Sequence, residues 1–283
     1  MSDILDRIVE KKREEIAARK RAEPLERVRG RAQAQPPARD FSGALRNGRP
    51  RGTGRQVNVI AELKRKSPSK GEFPWHGDVA RQARAYEAGG AKCMSVVTDG
   101  PFFGGSEALL QEARKHVTLP VIQKEFVIDP WQVHNARAIG ADAVLLIAAC
   151  LPGGQLADLA GEAQDAGLHT LVEVIDEEEV ERATAAGAVV MGVNNRDLRT
   201  FTVDLSRTER LIPLYRADQV AVCESGIHAP ADVARMLRAG VDAFLIGEAL
   251  MTAADPAAHL AQLREQGAAE AGAVAAPQAR AAR

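Results

Sequence analysis

The sequence lacks the features that mark several large classes of protein. No apolar run approaches the roughly 20 residues of a membrane-spanning helix, and the start, MSDILDRIVEKK, does not have the layout of a signal peptide. Lys and Arg number 37 against 38 Asp and Glu, so a net charge of -1 provides no basic field for nucleic acid or an anionic membrane. We therefore expect a cytoplasmic protein with neither of these partners, and any anion site must be local.

Cysteine and histidine are too few and too scattered to indicate a disulfide framework or a metal site. Cys93, Cys150 and Cys223 lie in or at the end of apolar runs, where a free cysteine behaves as a small hydrophobic residue. The six histidines form no H-x-x-x-H pair, and no C-x-x-C occurs. We expect no metal ion and no disulfide.

The first part of the chain predicts a helical extension over residues 1–50. Residues 3–20 carry one apolar stripe with charges elsewhere, which is typical of an amphipathic helix that needs a partner surface; the stripe contains Ile4, Leu5, Ile8, Val9 and Ile16. A weaker helix ends before Pro36, and residues 41–45 suit a short one. The Arg-rich residues 48–55 are interpreted as a solvated loop, because an RNA-binding segment would interleave aromatic residues.

From residue 57 onward, a polar helix that ends in glycine alternates with a short strand rich in Val, Ile and Leu. Such strands are apolar enough to be buried on both faces, as parallel strands are. Eight units of about 25 residues predict an α/β fold, a (β/α)8 TIM barrel over residues 51–266. An open doubly wound sheet is the alternative, disfavoured because no G-x-G-x-x-G follows the first strand. We expect the Ala-rich tail, residues 267–283, to be disordered.

The stretch from Val57 to Gly71, VNVIAELKRKSPSKG, combines a predicted strand with a polar loop. Glu62 and Lys64 are two residues apart and therefore share a face with Ile60, so their burial is costly unless the charges are paired or used. The loop that follows offers hydroxyl, ammonium and backbone groups suited to an anion. A solvated edge strand with a surface ion pair is the alternative.

Polar residues interrupt the carboxyl ends of most predicted strands, which is where barrels carry their active sites. One such residue is often only a capped strand end, but many together indicate a shared pocket. Crowding in it should lower lysine pKa values and raise glutamate pKa values. Small residues after the last two strands predict a phosphate site. The interrupting residues are Glu62, Lys64, Lys124, Glu173, Asn194, Glu224-Ser225-Gly226 and Gly247-Glu248.

Seven segments in this order and spacing resemble the indole-3-glycerol phosphate synthase family over residues 4–262. The segments are AELKRKSPSKG, TDGPFFGGSEAL, VIQKEFVIDPWQV, LVEV, GVNNRDL, ESGI and LIGEALM. The resemblance implies a carboxy-lyase of tryptophan biosynthesis that closes the ring of 1-(2-carboxyphenylamino)-1-deoxyribulose 5-phosphate with loss of CO₂ and water. It implies no cofactor, and we expect a monomer whose helical extension caps the substrate end.

The resemblance also implies roles for individual residues. Lys124 matches the general acid at the ribulose carbonyl, and Glu173 matches the carboxylate of the later proton transfers and dehydration. Glu62 and Asn194 match residues that orient the donor and the substrate hydroxyls, and Lys64 matches a lysine that holds anionic groups. Matches to the walls around the anthranilate ring and its carboxylate are Ser67, Phe103, Arg196 and Leu198. Matches to the hydroxyl and phosphate end are Ser225, Gly226, Gly247 and Glu248.

Three departures from the family pattern leave open how mobile the first loop is and how fast the enzyme works. They also leave open whether it serves a specialised pathway instead of bulk tryptophan synthesis. Glu125 stands where Asp commonly follows the lysine, Gly104 replaces a larger polar residue, and Phe73-Pro74-Trp75-His76 is unusual. Three alternatives also remain. They are phosphoribosylanthranilate isomerase, whose strand-one cysteine is missing here, an aldolase with a Schiff base on Lys124, and an inactive barrel that serves as an interaction module.

Overall fold

A closed barrel of parallel strands forms the centre of the molecule. The computed structural model describes residues 4–46, 56–74, 77–197 and 200–273. In these ranges eight parallel strands follow one another around the barrel in chain order, and the last pairs with the first. The predicted (β/α)8 barrel is therefore confirmed. Strands β1 to β8 span Asn58–Leu63, Cys93–Val97, Val121–Lys124, Ala143–Ile147, His169–Val174, Val190–Asn194, Val220–Glu224 and Ala243–Ile246.

Within residues 4–46, three helices precede the barrel and contact both of its ends. They are α1 (Ile4–Ala22), α2 (Leu25–Gln33) and α3 (Phe41–Leu45). Helix α3, which is buried at Phe41 and Leu45, lies at the amino ends of the strands, where Asn58 Nδ2 donates to the Leu45 carbonyl at 2.9 Å. Helix α1 lies near the carboxyl ends, and its apolar stripe is buried at Ile8 and Ile16.

The remaining helices surround the barrel. The connections are α4 to α12, at Val79–Ala88, Glu107–His116, Pro130–Ala138, Gln155–Asp165, Glu177–Ala185, Ser206–Leu211, Pro230–Ala239, Glu248–Met251 and Pro256–Ala273. Glycines follow several of these helices, as predicted; Gly240 after α10 has φ of 98°, a left-handed conformation that glycine adopts without strain. No helix in the described part of the chain has the length and apolar character needed to cross a membrane.

Alternation along each strand separates two apolar layers. Ile60, Leu145 and Leu245 belong to the layer that fills the barrel, whereas Val59 and Leu63 belong to the layer between strands and helices. Because successive side chains of a strand point to opposite faces, Glu62 shares the inward face of Ile60. The same alternation directs the other polar strand ends toward the mouth of the barrel.

Two segments differ from what the sequence predicts. Residues Lys66–Ser67 and Gly71–Glu72 form a small antiparallel hairpin where only a loop was expected. Helix α12 continues to Ala273, so the expectation of disorder is wrong for residues 267–273. A side chain on Gly267 would meet Val233 Cγ1 at 2.6 Å, so small residues allow α12 to pack closely on α10 without an apolar stripe. Residues 274–283 lie outside the described ranges.

Candidate active site

An ammonium group and two carboxylates from three different strands meet at the mouth of the barrel. Lys124, at the end of β3, places Nζ 2.9 Å from Glu173 Oε2 and 2.8 Å from Glu224 Oε2. The lysine side chain is 17% exposed, and the two glutamates are 3% and 2% exposed. These residues are far apart in the sequence, so the closed barrel brings them together.

A second ion pair lies beside this cluster. Lys64 Nζ is 3.0 Å from Glu62 Oε1, and Ser95 Oγ lies 3.5 Å from Glu62 Oε2. Glu62 is 3% exposed, and β1 has a strand partner on each side. The predicted shared face is therefore confirmed, and the alternative of a solvated edge strand is wrong.

Asn194 connects the acid-base cluster to the end of β7. Its Nδ2 donates to Glu173 Oε1 at 3.0 Å, and its Oδ1 accepts from Ser225 Oγ and from the Arg196 backbone N–H, both at 3.0 Å. Because its oxygen already has two donors, the amide group can present only N–H to Glu173. The orientation of both side chains is thereby fixed.

One cavity collects most of the residues singled out in the sequence. Its lining includes Glu62, Lys64, Ser67, Phe103, Lys124, Glu173, Asn194, Arg196, Ser225 and Glu248. Gly226 and Gly247 border an adjoining recess that shares Arg196 and Ser225 with it. Leu198 lies outside the described residues. The structure thus brings together every other candidate.

The recess near Gly226 and Gly247 carries charges of both signs, because Lys64 and Arg196 line it together with Glu62 and Glu248. Glu248 begins the short helix α11 and pairs with Lys70 at 3.2 Å and with Arg196 at 3.4 Å. A phosphate placed here would compete with Glu248 for the Arg196 guanidinium. The opposite side of the cavity is aromatic: the rings of Phe103 and Phe126 have centroids 5.9 Å apart and planes inclined by 37°.

The pKa values of the three charged groups in the cluster shift in different ways. Burial alone would lower the pKa of Lys124, but the carboxylates of Glu173, Glu224 and Glu62 together raise this pKa above its ordinary value. Burial raises the pKa of Glu224 to about 7. For Glu173 burial acts in the same direction, yet the Lys124 ammonium and the Asn194 amide hold its pKa below its ordinary value.

These pKa shifts were predictable from the sequence only in part. A lowered lysine pKa was expected and is wrong for Lys124, because its nearest charged neighbours are carboxylates and not Lys64. A raised glutamate pKa is found at Glu224 but not at Glu173. Lys124 is therefore a stable ammonium, Glu173 a carboxylate, and Glu224 a group that changes charge near neutral pH.

Glu224 is the functional candidate that the sequence reasoning undervalued. It was recognised as a polar strand end but received no role. Its Oε1 has no hydrogen-bond partner among the described residues, and it lies against Gly192, where an added Cβ would be 2.0 Å away. The pattern that identified Glu173, a lone acid at the end of an apolar strand, applies equally to Glu224.

The three departures from the family pattern do not disturb the cluster. The Glu125 carboxylate accepts from the Phe126 backbone N–H at 2.8 Å and from Thr98 Oγ1 at 3.0 Å. Gly104 has φ of 63° and a Lys66 stem 3.4 Å from its would-be Cβ, which suits glycine. Phe73 is buried with Lys64 Nζ 5.6 Å from its ring centroid, whereas Trp75 and His76 lie outside the described residues.

Across residues 4–46, 56–74, 77–197 and 200–273, no group of three His, Cys, Asp or Glu side chains is placed to hold a metal ion.

A solved structure of thiamine phosphate pyrophosphorylase from Pyrococcus furiosus matches with a TM-score of 0.55 at 18% identity, covering 76% of this chain and 96% of that one. At this identity the match supports the fold alone.

The sequence comparisons are more specific. Indole-3-glycerol phosphate synthase of Azoarcus sp. (strain BH72) is 50% identical over 93% of this chain and 99% of its own length. The enzyme of the same name from Laribacter hongkongensis is 46% identical over the same shares. A model of the family described as indole-3-glycerol phosphate synthase matches residues 5–263. Together with the barrel and the lysine-glutamate cluster at its mouth, these matches establish that the chain belongs to the indole-3-glycerol phosphate synthase family.

Proposed function

We propose that this chain closes the ring of 1-(2-carboxyphenylamino)-1-deoxyribulose 5-phosphate to give indole-3-glycerol phosphate, CO₂ and water. The reaction makes it a carboxy-lyase of tryptophan biosynthesis. The observation that carries the proposal is the Lys124 ammonium, which lies between two buried carboxylates of unequal pKa. Family membership supports the choice of substrate.

Lys124 acts in the first step, in which the ring carbon that bears the carboxylate attacks the ribulose carbonyl carbon. The carbonyl oxygen becomes an alkoxide and takes a proton from Nζ. An alkoxide is a stronger base than a lysine amine, so the transfer is favourable even though carboxylates raise the pKa of Lys124. The ring then loses its carboxylate as CO₂ and becomes aromatic again.

Glu173 acts in the later dehydration. The tertiary hydroxyl leaves with a proton as water, while a C–H proton of the former sugar chain is removed to form the indole double bond. A carboxylate whose pKa is held below its ordinary value is charged at neutral pH and can accept that proton. Its hydrogen bonds to Lys124 and Asn194 hold it in place.

The other candidate residues bind and orient the substrate. Phe103 stacks on the anthranilate ring and presses it toward the carbonyl, which brings the reacting carbons together, while Ser67 and Arg196 complete that wall. Leu198, which lies outside the described residues, is assigned to the wall by the family resemblance alone. Glu62 and Asn194 orient the donor and the sugar hydroxyls, and Lys64 holds anionic groups. The phosphate binds at Ser225, Gly226, Gly247 and Glu248. No cofactor enters this scheme, and the cytoplasmic, monomeric state expected from the sequence belongs to the proposal.

The alternative of an aldolase is disfavoured by the charge of Lys124. A Schiff-base lysine attacks as the neutral amine and is usually activated by a lowered pKa. Here the surrounding carboxylates raise the pKa of Lys124 and keep it protonated. Borohydride reduction in the presence of substrate should therefore leave no covalent adduct on this lysine.

The test of the proposed function is product formation from the synthetic substrate. Purified protein mixed with 1-(2-carboxyphenylamino)-1-deoxyribulose 5-phosphate should produce indole fluorescence and one CO₂ for each indole formed. Folded protein that produces neither would contradict the proposal and favour the inactive barrel.

The pH dependence should report Glu224. The substrate carries a carboxylate and a phosphate, so an ionised Glu224 repels it. Because burial raises the pKa of Glu224 to about 7, its carboxyl group loses its proton as the pH rises through 7, and kcat/KM should fall by roughly fivefold between pH 6 and 8. Glu224→Gln keeps an oxygen acceptor for Lys124 without the charge and should therefore abolish this fall in kcat/KM. An unchanged inflection in the variant would assign it to another group.

Gly192→Ala should displace the Glu224 carboxylate without changing any charged residue. The new methyl group would lie 2.0 Å from Glu224 Oε1, so the Glu224 side chain must shift. We expect this shift to disturb its contact with Lys124 and to lower kcat by about tenfold or more. Gly161→Ala is the matched control, since nothing lies within 4 Å of its would-be Cβ. Equal kcat in the two variants would show that the position of Glu224 is unimportant.

A further inference from the structure

Lys12 is a buried lysine on α1 that takes no part in the proposed chemistry. It is 5% exposed and lies between the buried Ile8 and Ile16 in the apolar stripe of the helix. A buried ammonium group persists only where carboxylates or hydrogen bonds replace its lost water. The groups around Lys12 therefore show what it holds together.

Three carboxylates surround the Lys12 ammonium. Glu15 of the same helix is 2.8 Å away, and two residues of the barrel, Asp99 and Glu125, are 3.0 Å and 3.1 Å away. Asp99 follows β2 and is 1% exposed, and Glu125 follows β3 and is 10% exposed. Lys12 is thus a cation shared between two neighbouring loops at the carboxyl end of the barrel.

Each of these barrel carboxylates also holds the backbone of one aromatic residue in the cavity wall. Asp99 Oδ2 accepts the Phe103 backbone N–H at 3.1 Å, and Glu125 Oε1 accepts the Phe126 backbone N–H at 2.8 Å. Phe103 and Phe126 both line the main cavity. One ammonium group therefore connects the two loops that carry the aromatic wall.

The loop after β3, which contains Glu125 and Phe126, is also connected to the acid-base cluster. Glu125 is adjacent in the chain to Lys124, so a displacement of Glu125 moves the strand end that presents the lysine. Glu125 Oε2 further accepts from Thr98 Oγ1 at 3.0 Å, which joins the ends of β2 and β3. Without the cation, the Asp99 and Glu125 carboxylates would face each other uncompensated and repel.

We propose that Lys12 is a positioning residue for ring closure, which acts through Asp99 and Glu125 to align the Phe103–Phe126 wall against the aromatic ring of the substrate. This rests on the proposed function, since the wall needs an anthranilate ring to orient. The amino-terminal helix is then part of the active-site support, and its contribution is geometric. A misplaced wall leaves the chemical groups present but lowers the fraction of bound substrate in the reactive geometry.

Lys12→Met tests this role because methionine has a similar shape and no charge. We expect kcat to fall by about 30-fold with a smaller change in KM, and Lys12→Arg, which keeps the charge, should recover most of it. Lys20→Met is the control: Lys20 also joins α1 to the barrel, through Asp129 at 2.9 Å, but its side chain is 44% exposed. This control should stay within about twofold of the wild type, as expected for a surface ion pair.

Coupling to Phe103 separates a positioning role from a general loss of stability. Phe103→Leu should lower kcat by about tenfold in the wild type but have little further effect in Lys12→Met, whose wall is already misaligned. Fully additive effects would overturn the proposal, as would a Lys12→Met enzyme as active as Lys20→Met. Should Lys12→Met fail to fold, Asp99→Asn tests the same connection against the same control. A wild-type protein that forms no indole product would instead contradict the proposed function itself.

Discussion

Replacing Lys124 with methionine should lower kcat by about three orders of magnitude, within the range attributed to general acids. The variant has no group that can protonate or electrostatically stabilise the alkoxide formed when the ring carbon attacks. Binding should change far less, because Lys124 does not line the recess assigned to the phosphate. Stopped-flow measurement of indole fluorescence, with Kd from quenching of the substrate's own fluorescence, separates the two effects.

The charge balance of the variant must be considered before its activity is interpreted. Removal of the ammonium leaves Glu173 and Glu224 buried beside each other, but Glu224 already holds its proton up to a pH of about 7, so the two side chains can share one proton. Lys124→Arg keeps a cation in place but is a very poor proton donor. It should fold like the wild type and still lose at least a hundredfold in kcat. More than a tenth of wild-type turnover in Lys124→Met would contradict its role.

Much of the fold could be predicted from the sequence because parallel strands buried on both faces appear as short apolar runs. Each of the eight barrel strands in the described residues is such a run, four to six residues long. The amino-terminal stripe was equally clear at Ile8 and Ile16. The end of the last helix was not, because beyond residue 266 α12 is buried through small residues such as Gly267 and Ala271, which form no apolar stripe in the sequence.

The sequence also indicated which residues would meet at the site, but not the directions of their pKa shifts. A charged residue at the end of an apolar run can be recognised in the sequence alone, and this pattern identified Lys124 and Glu173. The direction of the Lys124 pKa depends on which charge stands next to it, and this requires the barrel to be closed. Glu224, 100 residues from Lys124 in the chain, contacts it at 2.8 Å.

Lys12 was not singled out in the sequence, although its position in the apolar stripe indicates burial. It lies four residues from both Ile8 and Ile16 and therefore occupies the centre of the buried stripe. A lysine at such a position is easily taken for a solvated charge beside the stripe. Its burial follows from the carboxylates that two barrel loops bring to it, and nothing in the local sequence of α1 indicates them.

Glu173→Gln should lower indole formation by about two orders of magnitude and, unlike the change at Lys124, separate CO₂ release from it. The glutamine amide cannot accept a proton, and neither of its two orientations satisfies both of its neighbours. Asn194 presents only N–H to this position because its oxygen accepts from Ser225 and Arg196, while Lys124 also presents N–H. The single amide oxygen can satisfy one of these donors, so Lys124 or Asn194 must shift.

A single-turnover experiment with substrate labelled in its carboxylate distinguishes the roles of the two residues. If Glu173 serves the dehydration, Glu173→Gln should release up to one CO₂ per active site before indole appears, because decarboxylation precedes loss of water. Lys124→Met should delay both products equally, because it acts before the carboxylate leaves. Glu179→Gln is the control: Glu179 is buried on α8, where it accepts the Ile175 backbone N–H at 2.8 Å, and it should leave both time courses unchanged. Simultaneous appearance of CO₂ and indole in Glu173→Gln would place Glu173 with Lys124 in the first step.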